Sequence, residues 1–251
     1  MKETYRFLLY NIRYGTGTGW RFHTPVPFSG YLRNTRSNIP GIIEFIKSHN
    51  PDLVGLIEVD GGSRRASGVS QAEQIADGLG HHFVFMTKYK KRLKPGRIPI
   101  IRRQGNAFLA RDKILDQKYH YFERGIKRLI IEVEFDHIIF FIVHLSIRAS
   151  RRKEQMMVLA DLVKTCVKPV VVGGDFNTFS GIMEFNDFLA VTGLKSANQS
   201  NIPTFPSSRP RWELDFIFHC PHITVNNVAV PRIGLSDHLP LICDFTIGHV
   251  K

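Results

Sequence analysis

The sequence predicts one layered α+β or α/β domain over residues 1–251, and three observations predict it. Short β-branched or aromatic runs alternate with amphipathic stretches along the whole chain, the pattern of strands laid against helices. Hydrophobic residues make up 43% and charged residues 22% of 251 residues, enough apolar surface for a sizeable core without a disulfide framework. No internal repeat or low-complexity linker divides the chain.

In order, Arg6–Ile12 reads as a strand, and Arg36–His49 as a helix with Ile39, Ile42, Ile43 and Ile46 at helical spacing. Pro40 is tolerated there only in the first turn, and Asn50-Pro51 ends the helix. Leu53–Glu58 is a strand, Val69–Leu79 a shorter helix, and His82–Thr87 and Asn106–Ala110 are strands. Arg128–Phe135 and Ile138–Ser146 flank Asp136-His137 and read as a hairpin. Ser150–Cys166 is the clearest helix, with Met156, Leu159, Val163 and Cys166 on one face. Its first turn carries Arg151, Arg152 and Lys153, cations that oppose the helix dipole, so something other than helix stability keeps them there. Pro169–Val172 is a buried strand running into Gly173-Gly174, and Met183–Val191 is a helix. Leu214–Phe218, Ile223–Val230 and Leu239–Ile247 complete the strands. Gly15–Asn34 and Lys88–Gln104 carry the weakest signals for regular structure, and long loops in a compact domain are usually functional or mobile.

Lys and Arg total 34 against 22 Asp and Glu, a net charge of +12, which raises the local concentration of polyanions. Cys166, Cys220 and Cys243 are far apart and form no CxxC, so they read as reduced thiols rather than a zinc site. The longest purely apolar run, Ile138–Val143, is far shorter than the ~20 residues of a spanning helix. The N-terminus lacks a small-residue cleavage site, which leads to the expectation of a cytoplasmic enzyme.

Polar residues recur at strand ends: Asn11, Glu58, His144, Asp175, Asn177, Asp215 and the Asp237-His238 pair. Singly, each has an ordinary reading as a turn residue, a cap or a solvated group. Together they stand within LLYNIRYG, LVGLIEVD, FFIVHLS, VVVGGDFNTF, ELDFIF and LSDHLPL. In wording and order these six motifs resemble the endonuclease/exonuclease/phosphatase family, which includes deoxyribonuclease I, exonuclease III-type nucleases, neutral sphingomyelinases and inositol-polyphosphate 5-phosphatases. The resemblance runs from Asn11 to His238. It implies a deoxyribonuclease I-like four-layer sandwich, two mostly antiparallel sheets face to face with helices outside, and hydrolysis of phosphodiester bonds.

Oxygen donors without thiolates suit Mg²⁺ or Mn²⁺. The resemblance makes Glu58 the principal metal ligand, with Asn11 and Asp237 close by. Asp175 matches the residue that orients or deprotonates the attacking water, and Asn177 the one that fixes that Asp and a phosphate oxygen. His238 is expected to donate to the phosphoryl oxygen, held in its tautomer by Asp215. His144 aligns with a second histidine that contacts the phosphate or assists the leaving group. The tyrosine and glutamate that support this histidine in deoxyribonuclease I have no placed counterpart. Gly105–Arg111 resembles the family's GNALLSR-type strand, and Arg124 and Arg128 are both candidates for an arginine on the substrate.

Eight Lys or Arg residues lie between Lys88 and Arg103, among them Lys90, Lys91, Arg92 and Lys94. On a metallonuclease such a cluster tracks a phosphate backbone; elsewhere it is a solvated loop. Trp20–Arg33 interleaves aromatics with cations, suiting stacked bases or a lipid interface. The wording lacks the GDLNYR and PAWCDR of the inositol phosphatases and the QE-Thr-Lys of exonuclease III-type enzymes. A nuclease acting on DNA or RNA is therefore expected, with a sphingomyelinase or phospholipid phosphodiesterase at an anionic lipid surface and a small-molecule phosphatase as alternatives. A catalytically dead, nucleic-acid-binding relative would have lost a metal ligand or the Asp-His pair, and all are present. Nothing calls for an obligate protein partner, and a monomer is expected.

Overall fold

The computed structural model describes residues 4–18, 37–88, 101–123 and 127–248. The expected four layers are present. One sheet runs β11 (Ile223–Ala229), β12 (Leu241–Ile247), β1 (Tyr5–Asn11), β2 (Leu53–Asp60), β4 (Gln104–Ala110), β3 (His82–Thr87). The other runs β5 (Asp116–Tyr121), β6 (Leu129–Glu134), β7 (Ile139–His144), β8 (Val170–Asp175), β10 (Asp215–His219), β9 (Lys195–Ser196). Each sheet is antiparallel except at its centre, where β1 lies parallel to β2 and β7 parallel to β8. The crossovers are helical: α1 (Ile39–Ser48) joins β1 to β2, and α3 (Ala149–Lys164) joins β7 to β8. α2 (Gln71–Leu79) and α4 (Asn186–Thr192) complete the outer layers.

Alternation along the central strands builds the layers, because successive side chains face opposite sides of a strand. Phe7 and Leu9 of β1 enter the core between the sheets with Phe140 and Ile142 of β7. Leu8 and Tyr10 face outward to Ile39, Ile42 and Ile46 of α1 and Ile75 of α2. Phe141 and Val143 face the other way, to Met156, Leu159 and Val163 of α3 and Phe188 of α4. Close approach of the sheets requires glycine at Gly173, where an added Cβ would lie 2.9 Å from the Phe7 ring. At Gly174, directly before Asp175, it would lie 2.1 Å from the Val143 carbonyl oxygen.

Most expected elements stand where sequence periodicity puts them, including the hairpin, in which Glu134 pairs with Ile139. Two strands carry no legible signal. β5, DQKYHY, has an exposed first half and among the described residues pairs only with β6, so no apolar alternation marks it. β9 is two residues long. The helix expected at Met183–Val191 begins instead as a 3-10 turn, Ile182–Phe185, that passes into α4. Glu58 does not end β2, which continues to Asp60 through a register shift between Leu56 and Val59. Among the described residues no helix is long and apolar enough to cross a membrane.

Candidate active site

The expected site residues converge because their strands end at the same edge of both sheets. His144 and Asp215 are each the register partner of Asp175, on either side of β8. Asn11, in the facing sheet, donates from Nδ2 to Asp175 Oδ2 at 3.0 Å and ties the two sheets together at the base of the cluster. His238 reaches the same carboxylate from the loop before β12, with Nε2 3.9 Å from Asp175 Oδ2.

Glu58 owes its position to the bulge in β2. Val54, Leu56 and Val59 all face the outer helices, which strict alternation forbids for both Leu56 and Val59. One extra residue is therefore accommodated between them. Glu58 has φ +58°, an uncommon conformation for a non-glycine residue, and its amide donates to Asn106 Oδ1 of β4 at 3.3 Å. The carboxylate is thereby turned toward the cluster: the side chain is 19% exposed, with Oε1 3.9 Å from His144 Nδ1. Burial opposes its ionisation, but His144, Lys127 and Lys88 outweigh it and hold the carboxyl below its ordinary range.

Two histidines flank Asp175 in opposite electrostatic environments. Around His238 burial disfavours the charged ring, yet Asp215, Asp175 and Asp237 overcome it and raise its pKa to about 10. Its Nδ1 lies 2.7 Å from Asp215 Oδ2, and that oxygen also accepts from Thr204 Oγ1 at 2.7 Å. Around His144 burial, assisted by Lys127, prevails over Asp175 and Glu58, lowering the pKa to about 4. His144 Nε2 is 3.2 Å from Asp175 Oδ2. One ring is thus a protonated donor and the other neutral at pH 7, and such separation of paired groups marks acid–base sites. Asp175 lies between them with its carboxyl well below the usual range: burial opposes this, and His144 and His238 overcome it.

Asn177 has φ +53°. Its amide donates to Asp175 Oδ1 at 2.9 Å and its Nδ2 to the Leu145 carbonyl at 3.1 Å. Asp237 stands beside the cluster but pairs through Oδ2 with Arg13 Nε at 3.2 Å. Arg128 donates from Nε to the Phe122 carbonyl at 2.7 Å and from Nη2 to the Glu123 carbonyl at 2.5 Å. Arg124, Lys90, Lys91, Arg92 and Lys94 lie outside the described residues, as does Trp20–Arg33. Lys88 is no solvated loop residue: it is buried and donates from Nζ to the Tyr14 hydroxyl at 2.8 Å. Burial lowers its pKa to about 8.

Sequence reasoning missed Asn106, Thr204, Lys127 and Lys88 as members of this neighbourhood. Asn106 stands in the GNAFLA segment, where its polar side chain inside a buried strand was an available signal. The other three sit in loops with no spacing that marks them.

Atoms of Asp175, Asp215 and His238 lie within 4.8 Å of one another. Asp215 Oδ2 is already engaged by both His238 and Thr204, so this trio is better suited to handling a proton than to caging a cation. The Glu58 side fits a hard cation better. Among the described residues no hydrogen bond reaches the Glu58 carboxylate, which is ionised, partly open to solvent and close to the Asn11–Asp175 pair.

The model of the Endonuclease/Exonuclease/phosphatase family matches residues 8–238. The chain belongs to this family. Its members hydrolyse phosphodiester or phosphate-ester bonds with a divalent metal. A UPF0294 protein of Vibrio parahaemolyticus is 27% identical over 110 residues, 42% of this chain and 38% of that relative's length. The chain therefore matches well under half of that curated relative. A mannosyl-6-phosphatase of Bacteroides thetaiotaomicron superposes with a TM-score of 0.73 at 15% identity, covering 97% of this chain and 100% of that one. TDP2 of D. rerio in complex with a single-strand DNA product superposes at 0.69 and 15% identity, covering 98% and 100%. At such identities these two structures establish the family fold alone.

Proposed function

We propose that this protein is a divalent-metal-dependent phosphodiesterase that cleaves nucleic acid. The observation that carries the choice of substrate is an aromatic wall beside His238. The Phe205 ring centroid is 4.8 Å from the His238 ring. Trp212 packs 6.4 Å from Phe205 and 5.6 Å from Phe179, and Phe179 and Trp212 are 50% and 37% exposed. Exposed aromatics at a phosphate-handling cleft offer faces on which bases stack. The turn between Phe205 and Trp212 adds exposed Arg209 and Arg211, and the chain's net charge is +12, both favourable to a polyanion. The TDP2 relative was solved with single-strand DNA, which accords with this choice.

In this reading Glu58 and Asn11, with Asp237 nearby, hold Mg²⁺ or Mn²⁺, which when bound neutralises charge on the phosphoryl group. Asp175, kept ionised and oriented by Asn11 and Asn177, accepts a proton from the attacking water. His238, protonated against Asp215, donates to the phosphoryl oxygen as charge develops there. His144, neutral, accepts or relays a proton on the opposite side of Asp175.

The deciding experiment is hydrolysis by purified protein with Mg²⁺ or Mn²⁺. Its substrates are plasmid, single-stranded DNA, abasic duplex, RNA, sphingomyelin, phosphoinositides and a sugar phosphate. Nucleic acid is expected to be cleaved fastest, and Trp212→Ala to raise KM for it. Preferential turnover of a lipid or of the sugar phosphate would overturn the choice of substrate and leave the family assignment standing.

A further inference from the structure

Arg152 occupies the first turn of α3, where a cation opposes the helix dipole and the turn itself contains no acidic residue. Its side chain is nonetheless only 4% exposed, and every part of the guanidinium is engaged. Nε and Nη2 form a fork on Glu184 Oε1 and Oε2 at 2.6 and 2.8 Å. Nη1 donates to the carbonyls of Ser146 and Ile147, both at 2.8 Å. A planar bidentate pair of this kind fixes orientation as well as distance.

These partners belong to the two segments that leave the site after β7 and β8. Ser146 and Ile147 follow His144. Glu184 Oε2 accepts from Thr178 Oγ1 at 2.5 Å, and Thr178 adjoins Asn177. Asn177 closes the circuit, donating its amide to Asp175 and its side chain to the Leu145 carbonyl. A turn further along α3, Gln155 accepts from the Ser146 amide at 2.8 Å and donates to the Lys127 carbonyl at 2.6 Å. Lys127 is one of the cations that act on Glu58, His144 and Asp175.

We propose that Arg152 and Glu184 are positioning residues for hydrolysis at this site, acting through Thr178 on Asn177 and so on the Asp175 carboxylate. The proposal rests on the hydrolytic reading of the cleft and is indifferent to which phosphodiester is cleaved. Arg152 stays where it weakens the helix because its fork sets the left-handed backbone at Asn177.

Thr178→Val tests this without breaking the ion pair. The variant is expected to melt near wild type. Hydrogen–deuterium exchange at the Asn177 amide should accelerate, and kcat on bis(p-nitrophenyl) phosphate should fall about tenfold at unchanged KM. In an Arg152→Lys background the same substitution should cost less than it does alone, because both act along one chain of hydrogen bonds. Arg152→Lys, which keeps the charge and loses the fork, should resemble Thr178→Val rather than wild type. Unchanged exchange and kcat in Thr178→Val, or a fully additive loss in the Arg152→Lys background, would overturn the proposal. A wild-type protein inactive on every phosphodiester would defeat the hydrolytic reading instead, and the exchange measurement would still decide whether the link exists.

Discussion

β1–α1–β2 and β7–α3–β8 are the same unit, a parallel pair with a helical crossover, placed at the centre of each sheet. Both deliver two polar side chains to the cleft, Asn11 with Glu58 and His144 with Asp175. They do so by different means. In β2 the backbone itself is deformed, and an extra residue with φ +58° turns Glu58 toward solvent. In β8 the register stays regular through Asp175, and precision comes from outside, through Asn11, Asn177 and the loops anchored on Arg152. The carboxylate that the bulge presents keeps its oxygens available. The one in the regular strand has its oxygens claimed by neighbours. On the proposed roles, one local fold offers a group to a cation or holds it for proton transfer, according to whether the strand bulges.

The harshest test of that contrast removes the cation. EDTA is expected to abolish hydrolysis, and Glu58→Gln to lower turnover by orders of magnitude while weakening Mn²⁺ binding in calorimetry. Full activity in chelator would remove the role assigned to the bulged half. On the other half, Asp175→Asn and His238→Ala should each lower kcat about 10²–10³-fold with Mn²⁺ affinity reduced far less than in Glu58→Gln. Their combined cost should be less than multiplicative, since both serve one transition state. Equal losses of metal affinity in all three variants would erase the distinction.

A smaller effect is expected at Asn106. Asn106→Ala removes the acceptor for the Glu58 amide, a hydrogen bond worth about 1 kcal/mol, which corresponds to a roughly fivefold weaker metal affinity. Unaltered binding would mean that the bulge holds its shape without the Asn106 side chain.

The gentlest test uses pH. His144, with its pKa lowered to about 4, binds its proton less readily folded than unfolded. Its contribution to stability is therefore present above about pH 6.5 and lost as pH falls toward 4. His238, raised to about 10, has the opposite sign: its contribution is full below about pH 6.5 and lost as pH rises toward 10. Melting temperature against pH should show His144→Gln flattening the acid limb and His238→Gln flattening the alkaline limb. The same limb lost in both variants would contradict the opposed environments.

Much of this was legible in the sequence where one strong signal dominates. Buried central strands such as Phe140–Val143 announce themselves by composition, and strand-end polar residues stand out against apolar runs. The β5 edge was hidden because its pattern is set by its neighbour β6 rather than by burial of its own side chains. The bulge was hidden for another reason: LVGLIEVD reads as an unbroken strand until β4 is laid beside it. Arg128 was a candidate substrate contact by position, and the structure adds that its Nε and Nη2 donate to the carbonyls of Phe122 and Glu123. Spacing along a chain does not reveal which donors a local turn consumes.

The placement of β12 has a consequence for how the molecule reaches its working state. This strand, which directly follows Asp237 and His238, inserts between β11 and β1, so that Leu241 lies beside Leu9 and Phe245 beside Tyr5. Contacts between residues more than two hundred positions apart close late, because the entropy of the intervening loop is spent before they form. Catalytic competence should therefore arrive abruptly at the end of refolding. Partly folded chains would carry Glu58 and Asp175 without the histidine that stands against them in the folded protein, and so would lack the assembled site.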